Sequence, residues 1–396
     1  MTMIEHIELG IKQISQANYA GAEHIFLQLK TQFPDSALVD YLHSQVEGAI
    51  HAEANGTSAE KRLLNTFKEQ VSHYSSVPEY NLNWALNDLN PIAEFLEENP
   101  LIVFDVGARD AFLGEIENLK QFINYYGFDA DEDECNRINL NPPEGFKQFK
   151  IFPNFVGEEK SNEIFHIYKS PGMSSKFLLS ERFMGLFTNG CEISKTINIK
   201  PISLKHFIDS EKVSSVDLIK LDTQGSELEI LKSARGRLNK ILMVESEVEL
   251  TQMYDGQPIM GEYVDYMHTQ GFEVLYINRV FQTRSSYPGQ ARGQITFSDF
   301  LFSKREDHFD EFSPVELAKH AILLCNYGHL DIAYDIWNGY ATVKQLIPGL
   351  AQYFKGYDDA EKRTKQMGRD KLLCWQLHKR KTNQIFMDSD RSWPFR

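Results

Sequence analysis

Apolar positions along this chain fall into three textures. Up to about residue 75 they recur at three- and four-residue spacing, as in Ile4, Ile7, Ile11, Ile14 and again in Ala22, Ile25, Phe26, Leu29, which predicts amphipathic helices. Between about residues 101 and 303 they form short continuous runs: LIVFDVG, FINYYGFDA, FKIFPNFVG, VDLIKLD and KILMVES. Such runs are the pattern of strands buried on both faces. Helical stretches, such as 111–121 and 226–233, lie between several of them. This alternation predicts an α/β fold with a mostly parallel, doubly wound sheet. EVLYINR and GQITFSDFLFSK read as two late strands, which a final antiparallel hairpin would fit. From about Phe312 the helical spacing returns.

The expected organisation is a helical region over 1–75, a linker with a short helix over 76–100, an α/β domain over 101–303 and a second helical region over 312–396. In the first flank Tyr19, Ala22, Phe26 and Pro34 follow the spacing of the second helix of a tetratricopeptide repeat. Gly328, Leu330, Ala333 and Trp337 do something similar in the last. An amphipathic helical hairpin packed on its neighbour gives the same pattern, since repeat arrays need about three units to stand alone. These TPR-like flanks are the candidate surface for a protein partner.

At 396 residues the chain exceeds what one core usually organises. Its apolar fraction of 42% and charged fraction of 24% are those of a globular protein. The net charge of −15 opposes nucleic acid as the main ligand, because phosphate binding needs a basic face. No apolar run is long enough to span a membrane, and MTMIEHIELG lacks the basic head and apolar stretch of a signal peptide. Cys135, Cys191, Cys325 and Cys374 have no metal-binding spacing and suit a reducing compartment. A cytoplasmic location is therefore expected; the oligomeric state is left open.

In an open α/β sheet ligands bind outside the carboxyl ends of the strands. The first strand ends in Asp105-Val106-Gly107-Ala108-Arg109-Asp110. A dinucleotide site wants G-x-G-x-x-G there, and Arg109 and Phe112 occupy the other two glycine places. A cofactor without a pyrophosphate has less need of those glycines, and S-adenosylmethionine fits that description, with the Asp105 region facing its amino-acid end. The second strand delivers Asp129, 22 positions after Gly107, as the ribose candidate, with Asp131 in reserve. The third leads to Phe155 and Val156, a rim for the adenine. The fourth, VDLIKLDTQGSELEIL, delivers Asp222 and Gln224, while Glu227 opens the next helix as a helix-start residue.

Taken together, FDVGARDA, GFDADEDE, PGMSSKFL, LIKLDTQGSELEIL and EVELTQMYDGQPIMGEYVDYMHTQGFEVLYINR resemble the FkbM family of methyltransferases, over about residues 100–303. The resemblance implies a Rossmann-like class I methyltransferase sheet and S-adenosylmethionine as methyl donor. It implies a cofactor site at Asp105, Gly107, Ala108, Arg109, Asp129, Asp131, Phe155, Val156 and, in the Ser-Ser segment, Ser175. It also implies O-methylation of a small-molecule, sugar or natural-product hydroxyl. Asp129 stands where many relatives have Glu, and Asp110 where a small residue is common.

An alcohol needs a general base during attack, or a divalent ion to hold its alkoxide. Asp222 is the first candidate for either task. Glu245 and Glu247, which strand alternation turns the same way, are next. No metal is assigned. Gln224, Tyr254, Gln257 and Arg279 are acceptor-binding candidates, because amide and guanidinium groups bond hydroxyls and an aromatic ring can face a sugar. Two other functions compete. A non-catalytic scaffold would have no use for Asp105, Gly107, Asp129 and Asp222, and an NAD-dependent oxidoreductase lacks its glycines.

Overall fold

The computed structural model describes residues 91–109, 114–187, 191–288, 291, 293–351 and 354, together with 6, 9–10, 12–14, 18–32, 43, 46–47 and 50. The chain forms two compact units, one of residues 1–85 with 351–383 and one of 86–350 with 384–396. In the first, helix α1 (Tyr19–Gln32) buries Tyr19, Ala22, Phe26 and Leu29 along one stripe, as a 3.6-residue period requires. The Ile4, Ile7, Ile11 and Pro34 positions, and the tail past residue 354, lie outside the described residues.

The second unit is built on nine strands: β1 (Leu101–Val106), β2 (Ile123–Phe128), β3 (Gln148–Phe152), β4 (Glu163–Tyr168), β5 (Ile193–Ile199), β6 (Val216–Leu221), β7 (Ile241–Glu249), β8 (Phe272–Gln282) and β9 (Gln294–Lys304). Seven form one sheet in the order β3-β2-β1-β6-β7-β9-β8. Neighbours from β3 to β7 are parallel, whereas β9 runs antiparallel to both β7 and β8. The order reverses between β1 and β6, which opens a crevice at their carboxyl ends. The late pair is thus the antiparallel hairpin that the two late apolar runs predict. β4 and β5 form a separate two-stranded antiparallel ribbon.

The helices of this unit are α2 (Pro91–Glu98), α3 (Glu132–Leu140), α4 (Glu181–Phe187), α5 (Leu204–Ser210), α6 (Glu227–Ser233), α7 (Met260–Thr269), α8 (Pro314–Asn326), α9 (Leu330–Gly339) and α10 (Ala341–Leu346). The stretch expected to be helical over 111–121 is a 3-10 helix at Gly114–Phe122. On one sheet face Phe104, Val106, Phe128, Ile219, Leu221 and Val244 join Phe207 of α5, Leu228 and Leu231 of α6 and Met267 of α7 in a single core. Phe207 stands edge-on to Phe104 and Phe128, with centroids 5.6 and 4.5 Å away. Each such buried side chain contributes about 1.5–3 kcal/mol.

Alternation turns the intervening residues to the other face. There register places Asp105, Lys220 and Glu245 in one row across β1, β6 and β7. The C-terminal helices belong to this same compact unit. Ser313 and Glu316 form a capping box that starts α8, and Lys319 reaches the buried Asp217 at 3.0 Å. Gly328, at φ +85°, makes the turn from α8 to α9. Among the described residues no helix is long and apolar enough to cross a membrane.

Candidate active site

Four strand ends and one ribbon enclose a cleft. Its cavity volume is about 250 Å³, just under the ~300–1,000 Å³ usual for small-molecule sites. After β1 come Val106, Gly107 and Arg109; after β2, Phe128, Asp129, Ala130 and Asp131; after β3, Asn154, Phe155 and Val156. Asp222, Thr223 and Gln224 follow β6, and Phe165, Ile167, Pro171, Gly172 and Ser174 come from the ribbon and the segment after it.

Gly107 has φ +89°, and a Cβ there would lie 2.0 Å from the Asp222 carbonyl oxygen. The close approach that requires glycine is therefore to the loop after β6. Asp222 N donates to Val106 O at 3.0 Å, which ties the two strand ends together.

The two acids after β2 have different duties. Asp131 caps α3, accepting from Asp133 N, and meets Arg109 at 3.5 Å. Asp129 accepts from Asp131 N at 2.8 Å. Burial pushes its carboxyl up to about 6 despite that bond and the nearby Arg109 charge. The combination leaves Asp129 with acceptor capacity on the cleft wall, which suits a diol.

The Asp222–Gly225 turn is held from three sides. The Glu227 carboxylate accepts from Thr223 N (2.6 Å), Thr223 Oγ1 (3.0 Å) and Gly225 N (2.9 Å). Ser175 Oγ donates to the Gln224 carbonyl at 2.7 Å. Gln257 packs against Gly225, at φ +106°. Gln224 itself adopts φ +58°, a left-handed conformation that a non-glycine residue keeps only when its surroundings enforce it. Its side-chain amide then bridges two acids, donating to Asp222 Oδ1 at 2.8 Å and Glu247 Oε1 at 2.9 Å. Tyr254 Oη lies 2.9 Å from Gln224 Oε1 and 3.0 Å from Met173 O.

Glu247 is buried and Asp222 opens onto the cleft, and the protein packed around each raises both carboxyls by desolvation. Asp222 stands above the usual carboxylate range, though the Gln224 amide and the Lys220 charge pull it back. Glu247 is pushed well above that range, first by burial and then by the charges of Asp222, Glu249, Glu227 and Asp299. The geometry offers a carboxylate on the cleft wall with a second, proton-retaining acid behind it. That arrangement can accept a proton.

The site residues expected from sequence separate into two groups. Gly107, Arg109, Asp129, Asp131, Phe155, Val156, Asp222 and Gln224 line the cleft. The others do not. Asp105 faces away, its Oδ2 accepting from Tyr125 Oη at 2.6 Å, and Ala108 is buried. Ser175 is fully buried and braces the turn, while its neighbour Ser174 meets the cleft. Glu247 stands behind Asp222, whereas Glu245 accepts from Tyr327 Oη at 2.5 Å and lies 4.0 Å from Lys220. Tyr254 and Gln257 are buried, with Gln257 Oε1 accepting from Tyr254 N at 2.7 Å. Arg279 lies on β8 against the Phe281 ring. Phe165, Ile167 and the Pro171–Ser174 wall carry no polar signature that sequence reasoning could use. Among the described residues no group of three or more His, Cys, Asp and Glu is disposed to hold a metal ion.

A parallel sheet with its strand order reversing beside a glycine turn, an acid after β2 and apolar walls defines a nucleoside-cofactor α/β domain. Residues 105–274 match the model of the methyltransferase FkbM domain, somewhat under half of the chain. That stretch is a methyltransferase domain, of the S-adenosylmethionine-dependent kind. A search of curated proteins found no match. Among solved structures the magnesium protoporphyrin IX methyltransferase of Synechocystis PCC 6803, with bound SAM, is 9% identical, with a TM-score of 0.29 over 71% of this chain and 97% of that one. A 23S rRNA methyltransferase is 10% identical, with a TM-score of 0.25 over 61% and 78%. Scores so low inform neither cofactor nor substrate.

Proposed function

We propose that this chain is an O-methyltransferase that transfers methyl from S-adenosylmethionine to a hydroxyl of a sugar, glycan or natural-product acceptor. The observation that carries the reading is Asp222, a carboxylate that opens onto the same cleft that Asp129 lines. The lining suits the donor. Asp129 offers acceptor oxygens to ribose hydroxyls, Phe155 and Val156 offer apolar surface to an adenine, and the acidic Asp222 end favours a cationic sulfonium. Gly107 leaves no room for a side chain between these two ends.

When bound, S-adenosylmethionine supplies an electrophilic methyl group; orientation and proton handling fall to the protein. Attack must be in line, so the walls of the cleft have to hold the acceptor oxygen fixed. Asp222 Oδ accepts the hydroxyl proton as the new bond forms, and its raised basicity serves that step. Gln224 holds the carboxylate by its amide. Pro171, Gly172 and Ser174, after β4, line the same cleft.

The same reading makes the enzyme cytoplasmic, supported by the free thiols of Cys135, Cys191 and Cys325, and leaves the helical flanks as the surface for a protein partner. The test is transfer of labelled methyl to a panel of glycans and hydroxylated natural products. An O-linked methyl product, lost in Asp222→Asn while S-adenosylhomocysteine, neutral at sulfur, still binds, supports the proposal. Methylation of nitrogen or carbon contradicts it.

A further inference from the structure

The row of charges beneath the cleft points to a residue that neither the motifs nor the cleft lining single out. Lys220 is nearly buried close to the carboxyl end of β6, where an ammonium is costly to keep. Register sets it beside Asp105 of β1 on one side and Glu245 of β7 on the other. Its Nζ lies 4.0 Å from Glu245 Oε1. Both flanking acids are held by phenols, Asp105 by Tyr125 and Glu245 by Tyr327. Two residues further along the chain, just past the end of β6, stands Asp222.

We propose that Lys220 is the positioning residue of this site, the counter-charge that sets the charge state of Asp222 at the donor end of the cleft. The inference rests on the methyl-donor reading above. Among the described residues, the groups that act most on Asp105, Lys220, Asp222 and Glu247 are acids and phenols: Asp105 and Tyr125 from β1 and β2, Glu245, Glu247 and Glu249 from β7, Asp299 from β9, Glu227 from α6, Tyr254 and, after α8, Tyr327. Burial works to discharge Lys220, but Glu245, Asp105, Asp222 and Asp299 together hold it more firmly protonated. Its field in turn lowers Asp105, Asp222 and Asp299 against their own burial. A neutral side chain at 220 would leave those acids with no cation between them.

The charge on Asp222 can be read without knowing the acceptor. S-adenosylmethionine carries a sulfonium, and S-adenosylhomocysteine, its demethylated product, is neutral at sulfur. Their affinity ratio therefore reports the negative charge beside the sulfur. Calorimetric titration of both, from about pH 5.5 to 9, should show the ratio rising as Asp222 ionises. Lys220→Met should move the midpoint of that rise up by about one pH unit, and Lys220→Arg should restore it. Glu245→Gln leaves Lys220 in place with less of its field engaged, so it should move the midpoint down. That variant carries the test where Lys220→Met yields no folded protein. A ratio that does not vary with pH in the wild type, or an unmoved midpoint in the variants, overturns the inference. A wild type that binds neither compound overturns instead the donor reading on which it rests.

Discussion

A Cβ on Gly107 would lie 2.0 Å from the carbonyl oxygen of Asp222, so the turn after β1 and the turn after β6 touch backbone to backbone. This contact fixes the spacing between the loop after β1 and the loop that carries Asp222. Gly107→Ala must both displace that carbonyl and adopt a positive φ, and should cost roughly 2–4 kcal/mol of stability. Urea denaturation measures it. An alanine variant as stable as the parent would show that the two turns are free to separate.

Asp129 and Asp131 are two acids that sequence spacing does not rank, and the structure gives them separate tasks. Asp129→Asn should weaken S-adenosylmethionine binding by roughly 10–100-fold, the scale of a lost charged hydrogen bond. Asp131→Asn keeps a good helix cap and should change it little. Because burial holds the Asp129 carboxyl at about 6, wild-type affinity should also fall as pH drops through that value. Equal losses in both variants would contradict the assignment.

Gln257 acts on the site through Tyr254 and Gly225. Its Oε1 accepts from a buried backbone N–H, and removing it leaves that donor unsatisfied at a cost of about 1–3 kcal/mol. Gln257→Ala should therefore lower the unfolding free energy and weaken donor binding together. Loss of acceptor use alone, with stability intact, would instead assign Gln257 a direct contact with the acceptor.

Glu227, Asp299 and Glu247 are all raised by burial, the first two to about 7 and about 6 and Glu247 further. In the window from the ordinary carboxylate range near pH 4 up to about pH 7 the folded state holds more protons than the unfolded chain. Stability should then fall as pH rises through that window. Thermal unfolding should give a higher Tm near pH 5.5 than near pH 8, and a cationic donor should narrow the gap. A Tm that climbs with pH would mean that these acids are ionised and well paired in the folded protein.

The sheet is legible in the sequence because strands buried on both faces leave continuous apolar runs, and strand ends carrying Gly107, Asp129 and Asp222 mark the crevice. The β4–β5 ribbon is not, because its strands are half exposed and EIFHIY and ISKTINI mix polar and apolar residues without a clean alternation. Tyr254 and Gln257 carry groups that suit a sugar, and nothing in their spacing reveals that those groups face inward to hold Gln224 and its turn. Lys220 is hidden for the opposite reason: VDLIKLD reads as an apolar strand, and only the register of three strands shows what flanks its one cation.

The central claim is that the crevice between β1 and β6 is a methyl-donor site built around Asp129 and Asp222. Calorimetry of the purified chain with S-adenosylmethionine, and separately with NAD, tests it most directly. The account predicts binding of S-adenosylmethionine at one site, lost in Asp129→Ala, and none of NAD. Binding of NAD, or S-adenosylmethionine binding that Asp129→Ala leaves untouched, would contradict it.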